Sequence, residues 1–353
     1  MALPQAAAGT HSQPREKFSP AAYTASMSFP EHLLPHCCFL AGPTAAGKSA
    51  AALLLAQHLN AEILALDSMT VYRGMDIGTA KPSAADQRQI PHHLLDLINA
   101  DQEFSIAEYL EQAATVATAI LQRGRTPLFV GGSGLYLRAL LRGFSQGPAA
   151  NWEIRRRWDE LARQHGPQWI HQQLQQVDPV TAQRLHPQDL RRIIRALEVH
   201  ELTGRPISTD QSHTIREPHL RPRLAVWLDP ERTSLRNRIA LRTQLMIDQG
   251  WLTETRNLLE HWPQLSRTAS QALGYRELIL HLQHQLSLEE AIQQIQTSTC
   301  QFAKRQTTWF RSLEECRPIR TTGLEPPEEL LRQLLTLLRQ SHEFAQSRSG
   351  PSP

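Results

Sequence analysis

The chain has 353 residues, 41% of them hydrophobic, which is enough for one large core or two domains. Its formal net charge of +3 permits nucleic-acid binding but does not require it. No run of about 18 apolar residues occurs, so no membrane span is expected, and the four cysteines lack metal-site or disulfide-framework spacing, which indicates a reducing cytosol.

The N-terminal residues 1–30 are rich in Ala, Ser and Pro and lack the apolar segment of a secretory signal. We predict a disordered tail over this stretch and a second one over residues 341–353. Organised sequence begins just after Met27, which makes this methionine a candidate start of translation.

Short apolar runs bounded by Gly, Pro or Asp predict buried β-strands. Helical segments, among them 50–59 and 106–122, separate these runs along the chain. Because such alternation is typical of parallel βαβ units, we predict an α/β fold with a parallel sheet. The predicted strands are 36–41, 63–66, 128–130 and 224–228.

Residues 151–215 contain no convincing strand and show a helical pattern rich in Arg and Gln. A gap of this length between strands of one sheet indicates a helical insertion. We therefore predict that residues 31–150 and 216–340 form the α/β core. After the strand that ends at Asp229, the pattern predicts helices alone to about residue 340.

The segment after the first predicted strand matches the phosphate-loop pattern G-x-x-x-x-G-K-[ST] in full. Its glycines let backbone N–H groups turn inward toward phosphate oxygens, and the following helix adds the positive end of its dipole. Lys48 supplies a positive charge, and Ser49 supplies a hydroxyl for Mg²⁺. Taken alone, the loop indicates an NTPase or a small-molecule kinase. The predicted phosphate-binding residues are Gly42, Pro43, Thr44, Ala45, Ala46, Gly47, Lys48 and Ser49.

Asp67 ends the second predicted strand. Ligands of open α/β sheets bind at the carboxyl ends of the strands, so Asp67 is expected to face the phosphate loop. Its position is compatible with three roles: a cap of the next segment, a water-mediated contact to Mg²⁺, or a general base.

Seven blocks of this sequence are similar to the bacterial tRNA dimethylallyltransferase family, also called tRNA isopentenyltransferases. The phosphate loop reads GPTAAGKS where the family has GPTASGKT, and the segment from Asp67 reads DSMTVYRGMDIGTAKP where the family has DSMQVYRGMDIGTAKP. Further resemblances are HHLLD at 92–96, PLFVGGSGLYLRALL at 127–141, RIIRALEV at 192–199, ALGYRE at 272–277 and AKRQTTWFR at 303–311.

The resemblance implies a P-loop NTPase-like α/β core with a helical insertion and a helical C-terminal region. It also implies transfer of a dimethylallyl group from dimethylallyl diphosphate to N6 of adenosine 37 in tRNA, with Mg²⁺ as cofactor. In this family the residues aligned with Asp67, Thr44, Ser133 and Arg155 are catalytic, Asp67 as the general base. Ser133 replaces the family's Thr and keeps a hydroxyl.

The resemblance further implies that the anticodon stem-loop of tRNA contacts three segments of the chain. Two of these segments depart from the family, because Thr70 and Arg191 each replace a Gln. We expect this change to alter how the anticodon loop is read but not to abolish binding. The expected tRNA-contacting residues are Asp67, Ser68, Met69 and Thr70; Arg191, Arg192, Ile193, Ile194 and Arg195; and Lys304 and Arg305.

A cytoplasmic, monomeric enzyme without a membrane partner is expected. Three alternatives remain at this stage. A P-loop kinase or NTPase would use Asp229 as its second acidic group. An adenylate isopentenyltransferase of the cytokinin type would not need the insertion or the basic C-terminal helix. A non-catalytic RNA-binding protein would not need Lys48, Ser49 and Asp67 together.

Overall fold

The computed structural model describes residues 29–144, 147–148, 150–210 and 215–346. Most of the two predicted tails, including Met27, lies outside these residues. Two boundaries need correction. Phe29 is fully buried and packs edge-on against Phe129, with ring centroids 5.8 Å apart, so ordered structure begins before residue 31. The last helix runs past residue 340 to Gln346.

The described chain divides into two compact units. The core unit contains the described residues up to 144 and from 215 onward, and the helical unit contains those from 147 to 210.

The core unit is built on a six-stranded parallel sheet with the order β3-β2-β4-β1-β5-β6. This sheet confirms the predicted α/β class. The strands are β1 (Cys38–Ala41), β2 (Ala61–Leu66), β3 (His92–His93), β4 (Thr126–Gly131), β5 (Leu224–Pro230) and β6 (Arg317–Thr321).

Two strands were missed by the sequence pattern. The two-residue strand β3 is too short to produce a pattern. Strand β6 reads RPIRT and buries the side chain of Ile319 but exposes those of Arg317 and Arg320. The prediction of helices alone after Asp229 was therefore wrong at one edge of the sheet, because an edge strand with one covered face carries too few apolar residues to be recognised.

Helices pack on both faces of the sheet, which explains why its central strands are apolar throughout. Phe39, Leu64 and Phe129 face the cluster that includes helices α3 and α4, whereas Leu40 and Leu128 face the cluster that includes α1 and α14. The helices of the core unit are α1 (Lys48–His58), α2 (Ala84–Gln89), α3 (Ile106–Gln122), α4 (Gly134–Arg142), α9 (Arg232–Asp248), α10 (Trp251–His261), α11 (Arg267–Ser270), α12 (Tyr275–Leu282), α13 (Leu288–Arg311) and α14 (Pro327–Gln346).

The helical unit packs four helices around its own apolar cluster, in which Ile170, Leu174 and Ile193 are fully buried. The buried carboxylate of Asp178 caps the third of these helices by accepting from the backbone N–H of Thr181 at 2.9 Å, and it also accepts from the N–H of Ser208 at 3.0 Å. The helices are α5 (Trp152–His165), α6 (Pro167–Val177), α7 (Pro179–Arg184) and α8 (Leu190–Thr203).

Within the described residues, no helix is both long enough and apolar enough to cross a membrane.

Candidate active site

The candidate site lies in the core unit, where three neighbouring strands end at the same level. In the register of the sheet, Ala41 of β1 and Leu66 of β2 both pair with Gly131 of β4. The phosphate loop, Asp67 and the turn 131–134 therefore leave the sheet side by side. The chain leaves β1 and β4 toward opposite faces of the sheet, because α1 packs on one face and α4 on the other. Open α/β sheets bind ligands at the carboxyl ends of two neighbouring strands that diverge in this way.

The phosphate loop joins β1 to α1 through residues with positive φ. Gly47 has φ of 92°, and Ala45 has φ of 62°, a conformation that costs a non-glycine residue about 1 kcal/mol. Arg238 of α9 holds this strained residue, because its Nε donates to the carbonyl oxygen of Ala45 at 2.8 Å. Ser49 is exposed in the first turn of α1. The helix N-terminus thus presents its N–H groups and a hydroxyl to the site.

Lys48 is the main charged group of the loop. Its Nζ donates to the carbonyl oxygens of Gly42 at 2.9 Å and Pro43 at 2.7 Å. The pKa of Lys48 is lowered to about 7, chiefly by burial and also by the nearby guanidinium of Arg242, while the carboxylate of Asp67 opposes both effects. A bound anion would restore the charge of this lysine, so the loop is suited to phosphate.

Asp67 follows β2 directly and accepts a hydrogen bond from the backbone N–H of Met69 at 2.8 Å. Burial raises the pKa of the Asp67 carboxyl above its usual range, although the Met69 N–H and the charges of Lys48 and Arg242 partly oppose this. The carboxylate therefore lies within electrostatic reach of two cations. Two of the roles predicted for Asp67, a cap of the next segment and a site residue, are compatible with each other. One carboxylate oxygen accepts from the Met69 N–H, and the carboxylate can still accept a hydrogen bond from a substrate.

The turn after β4 carries Ser133. Backbone N–H groups of Gly132 and Ser133 both donate to the carbonyl oxygen of Leu66, at 3.1 Å each, which ties the turn to the residue before Asp67. The Ser133 hydroxyl accepts from the N–H of Tyr136 at 3.3 Å and so caps α4. Its proton remains available for a donated hydrogen bond, so a substrate contact stays a prediction.

Gln306 of α13 joins the phosphate loop to this turn. Its Oε1 accepts from the N–H of Thr44 at 2.9 Å, and its Nε2 donates to the carbonyl oxygen of Gly132 at 2.8 Å. The side chain is buried. The block AKRQTTWFR is recognisable in the sequence, but of its residues only Lys304 and Arg305 were predicted to belong to a binding site.

Two arginines of α9 were also missed. Arg238 and Arg242 are four residues apart, so they lie on one face of the helix. Arg238 contacts the phosphate loop, and Arg242 lies within electrostatic reach of Lys48 and Asp67. The i, i+4 spacing of two arginines was the available signal, but nothing in the sequence indicated that α9 packs beside the loop.

The segment 68–82 is held in place by groups outside it. Glu254 of α10 accepts from the backbone N–H groups of Asp76, Ile77 and Gly78 at 2.7 to 3.2 Å. Lys81, whose side chain is 5% exposed, donates to the Tyr72 carbonyl oxygen and to the carboxylates of Asp76 and Asp96. Ser68 and Met69 are partly exposed beside Asp67, whereas Thr70 is buried.

Three arginines among the predicted residues of the helical unit form ion pairs within it. Glu198 accepts from Nε of Arg155 at 3.0 Å and from Nη1 of Arg195 at 2.6 Å, and Arg192 pairs with Asp189 at 3.2 Å. Arg155 also stacks on Trp152, 4.9 Å from the ring centroid. A substrate contact by Arg155 stays a prediction.

The short block at the start of α8 is only partly accessible. Arg191 and Arg192 are exposed. Ile193 and Ile194 are buried, so their side chains contribute to packing rather than to an RNA-contacting surface. Of the tRNA-contacting side chains predicted in this block, only the arginines therefore stay predictions.

The C-terminal part of α13 presents Lys304 and Arg305 to solvent. On the opposite face Phe310 is fully buried and lies against Trp227, with ring centroids 5.7 Å apart. Arg311 pairs with Asp229 at 3.4 Å, so the acid that a kinase would use already has a partner within the protein.

The site has a donor set that suits Mg²⁺. This ion usually binds through one or two protein groups together with phosphate oxygens and water. Ser49 offers an exposed hydroxyl, and Asp67 offers a carboxylate close to the loop. Among the described residues, no group of three or more His, Cys, Asp or Glu side chains could hold a metal ion.

A phosphate loop and a carboxylate at adjoining ends of a parallel sheet define a phosphate-binding α/β protein of the P-loop NTPase-like class. A family model described as IPP transferase matches residues 70–313. The chain belongs to this family, and the resemblance inferred from the motifs is confirmed.

Individual relatives agree with this assignment. The chain is 45% identical over 302 residues to a tRNA dimethylallyltransferase from Symbiobacterium thermophilum, which covers 85% of this chain and 94% of the relative. It is 42% identical over 295 residues to a tRNA dimethylallyltransferase from Pelotomaculum thermopropionicum, covering 84% of this chain and 94% of the relative.

Solved structures are similar over most of the chain. The tRNA isopentenylpyrophosphate transferase from Bacillus halodurans is 33% identical with a TM-score of 0.63, covering 88% of this chain and 99% of its own. A eukaryotic dimethylallyltransferase acting on tRNA is 26% identical with a TM-score of 0.71, covering 88% of this chain and 79% of its own. The predicted P-loop NTPase-like fold is thereby confirmed.

Proposed function

We propose that this protein transfers a dimethylallyl group from dimethylallyl diphosphate to N6 of adenosine 37 in tRNA and releases diphosphate. The observation that carries the proposal is the pairing of the phosphate loop with Asp67 at adjoining strand ends in a chain of this family. The relatives named tRNA dimethylallyltransferase support the reaction class.

The reaction forms a bond between N6 of the adenine and C1 of the dimethylallyl group while the bond from C1 to the diphosphate oxygen breaks. The diphosphate departs with both electrons of that bond, so its charge must be stabilised. Loop N–H groups, Lys48 and Arg242 supply that stabilisation. Mg²⁺, when bound through Ser49 and through water on Asp67, would neutralise further charge.

The attacking amine must lose one proton as the new bond forms. Asp67 accepts this proton, a role worth about 10²- to 10⁴-fold in rate. Its raised pKa favours the transfer, because a more basic carboxylate binds the proton more strongly. Thr44 and Ser133 flank the reacting atoms with hydroxyl groups, and Arg155 contacts the substrate.

The RNA must present an unstacked adenosine, since a base within a helix cannot reach such a site. Segments 67–70, 191–195 and 304–305 hold the anticodon stem-loop, with the accessible arginines and Lys304 contacting phosphates. We expect the protein to act as a monomer in the cytoplasm, which size-exclusion chromatography and cell fractionation would test.

The decisive experiment mixes purified protein, Mg²⁺, dimethylallyl diphosphate and a tRNA with adenosines at positions 36 and 37, followed by nucleoside analysis. Isopentenyladenosine at position 37 is expected. Its absence would overturn the proposal.

Two parallel reactions test the alternatives. Replacing the prenyl donor with ATP should leave the ATP unconsumed when tRNA is added, whereas ATP turnover would favour a kinase or NTPase. Replacing tRNA with AMP should give no prenylated nucleotide, whereas a product would favour the cytokinin-type enzyme.

A further inference from the structure

The buried position of Gln306 in α13 does not need an amide side chain to form the helix. Gln306 lies in α13 with 5% of its surface exposed, directly after Lys304 and Arg305, which face solvent. A helical position that only fills a core is normally apolar, because a buried amide costs free energy unless all of its groups are hydrogen-bonded. Here both ends of the amide are bonded, and both partners belong to the site.

The two partners determine how the amide must point. The backbone N–H of Thr44 can only donate, and the carbonyl oxygen of Gly132 can only accept. The Gln306 oxygen must therefore face the phosphate loop and its nitrogen must face the turn, at 2.9 and 2.8 Å. A primary amide, with its neutral donor and acceptor on one rigid plane, occurs only in Gln and Asn, and Asn is one methylene shorter.

The turn accommodates this side chain because residue 132 is a glycine. A Cβ at Gly132 would lie 2.3 Å from Nε2 of Gln306, far inside van der Waals contact. The next residue of the turn, Ser133, is bonded to the carbonyl oxygen of Leu66, which precedes Asp67. Gln306 thus joins the diphosphate end of the site directly to the turn and, through the turn, to the strand end that carries the base.

We propose that Gln306 is a positioning residue that holds Thr44 and the Ser133 turn at one separation, so that a bound prenyl diphosphate is aligned with Asp67 and the incoming amine. The inference rests on the proposed function. Alignment errors of about 1 Å can lower a rate about 100-fold while leaving ground-state binding almost unchanged. Loss of Gln306 should therefore lower kcat and not the affinity for the prenyl diphosphate.

The test is a set of variants assayed for isopentenyladenosine formation at saturating tRNA. Gln306→Met keeps the length of the side chain but removes both hydrogen bonds, and we expect kcat to fall by about 10- to 100-fold, with KM for dimethylallyl diphosphate within about threefold. Gln306→Glu keeps the acceptor but turns an anion toward the Gly132 carbonyl oxygen, so it should lose at least as much. Gln301→Met, on an exposed position of the same helix, is the matched control and should match the wild type.

Gly132→Ala breaks the same contact from the other side, since its Cβ displaces the amide. If Gln306 acts through this contact, Gly132→Ala and Gln306→Met combined should reduce kcat little more than either alone. Multiplicative losses in the double variant would overturn the proposal, as would a Gln306→Met enzyme with kcat within twofold of the wild type.

Thermal unfolding of each variant separates positioning from folding. Folded variants with reduced kcat support the proposal. Losses of activity that follow the folded fraction in Gln306→Met, Gln306→Glu and Gly132→Ala alike would assign Gln306 to stability alone and overturn it. An inactive wild type would instead refute the proposed function, because the wild-type reaction precedes every comparison.

Discussion

At the scale of single residues, the site depends on charges of opposite sign that are shielded from water. The positive charges of Lys48 and Arg242 both act to lower the pKa of Asp67. Burial shifts the pKa of each of these three groups in the direction that favours its neutral form. Such displaced groups cluster where chemistry occurs, because burial makes their interactions with a substrate strong. A diphosphate would compensate the two cations and leave Asp67 to act on the amine.

Asp67→Asn tests this division of roles. The amide keeps the size of the side chain and can still accept from Met69, but it cannot take a proton at neutral pH. We expect kcat to fall by about 10²- to 10⁴-fold with a much smaller change in the KM for either substrate. Steady-state formation of isopentenyladenosine measures both values. Asp86→Asn, in the capping box of α2, is a control that is expected to keep full activity. If Asp67→Asn lost substrate binding as much as kcat, Asp67 would be reassigned to a binding role.

Thr70 differs from the family's Gln and is buried, and its hydroxyl has no hydrogen-bond partner among the described residues. Removing a buried, unsatisfied hydroxyl should not destabilise the fold. Thr70→Val should therefore be at least as stable as the wild type, with a gain of up to about 1 kcal/mol. Thr70→Gln must fit a larger side chain into the same space and should cost about 1–3 kcal/mol. Urea unfolding measures both, and a clear loss of stability in Thr70→Val would reveal a partner for the hydroxyl.

At the scale of elements, the turn between β4 and α4 brings backbones unusually close. A Cβ at Gly131 would lie 2.1 Å from the carbonyl oxygen of Leu66, and one at Gly134 would lie 2.8 Å from the Cβ of Trp309. Backbone atoms of a central strand cannot move aside as a flexible side chain can. The glycines of GGSG are therefore needed for packing between elements as well as for the shape of the turn.

Gly131→Ala is expected to destabilise the core unit by about 1–3 kcal/mol because β2 and β4 must separate locally. Gly124→Asn is the control: its φ of 69° suits Asn, and a Cβ there would meet nothing within 4 Å. Thermal unfolding of the two variants makes the comparison. If Gly131→Ala were as stable as the wild type, the two strands β2 and β4 would be able to move apart at Leu66 and Gly131 without a cost in free energy.

The pairing of α5 with α8 in the helical unit depends on Glu198, which is fully buried and accepts from Arg155, Arg195 and the N–H of Asn151. Burial alone would raise the pKa of Glu198, but these hydrogen bonds outweigh it and hold the pKa below its usual range. Because the folded-state pKa is depressed, the stabilisation is present above the unfolded-state value of about 4.3. It is lost as the pH falls through the folded-state pKa.

Glu198→Gln weakens hydrogen bonds to a charged group and should therefore destabilise the helical unit at pH 7 by about 2 kcal/mol, and the difference from the wild type should shrink as the pH falls below about 4. Glu160→Gln is the matched control, since Glu160 is exposed and its pair with Arg163 contributes little. Thermal unfolding across this pH range provides the measurement. A difference that stays constant with pH would mean that the charge of Glu198 does not matter.

At the scale of the whole molecule, RNA binding should draw on cations from separate segments. Counterion release makes such binding weaken as salt rises, with a slope set by the number of phosphates contacted. Lys304→Gln with Arg305→Gln should reduce the slope of log affinity against log salt by about 1–2. Filter binding of tRNA at several salt concentrations measures it. Arg339 is an exposed residue of α14, and the control Arg339→Gln should leave the slope unchanged. A wild-type affinity for tRNA that does not change with salt would contradict the proposed phosphate contacts.

Much of the fold and part of the site were predictable from local patterns. Apolar runs located the four strands that are buried on both faces, and the phosphate-loop pattern located Lys48 and Ser49, because these features depend on residues close together in the chain. The edge strands β3 and β6 were not predictable, since one is two residues long and the other is largely polar.

The phosphate loop, the carboxylate at the end of the next strand and the family can all be recognised in the amino-acid sequence, because each depends on one contiguous segment. The residues that support the site from elsewhere, and the burial of Ile193 and Ile194, become visible in the folded chain; the supporting residues are Arg238, Arg242, Glu254 and Gln306. They lie far from the loop along the chain: Gln306 and Thr44 are 262 residues apart, and no local pattern records that two such residues share a hydrogen bond.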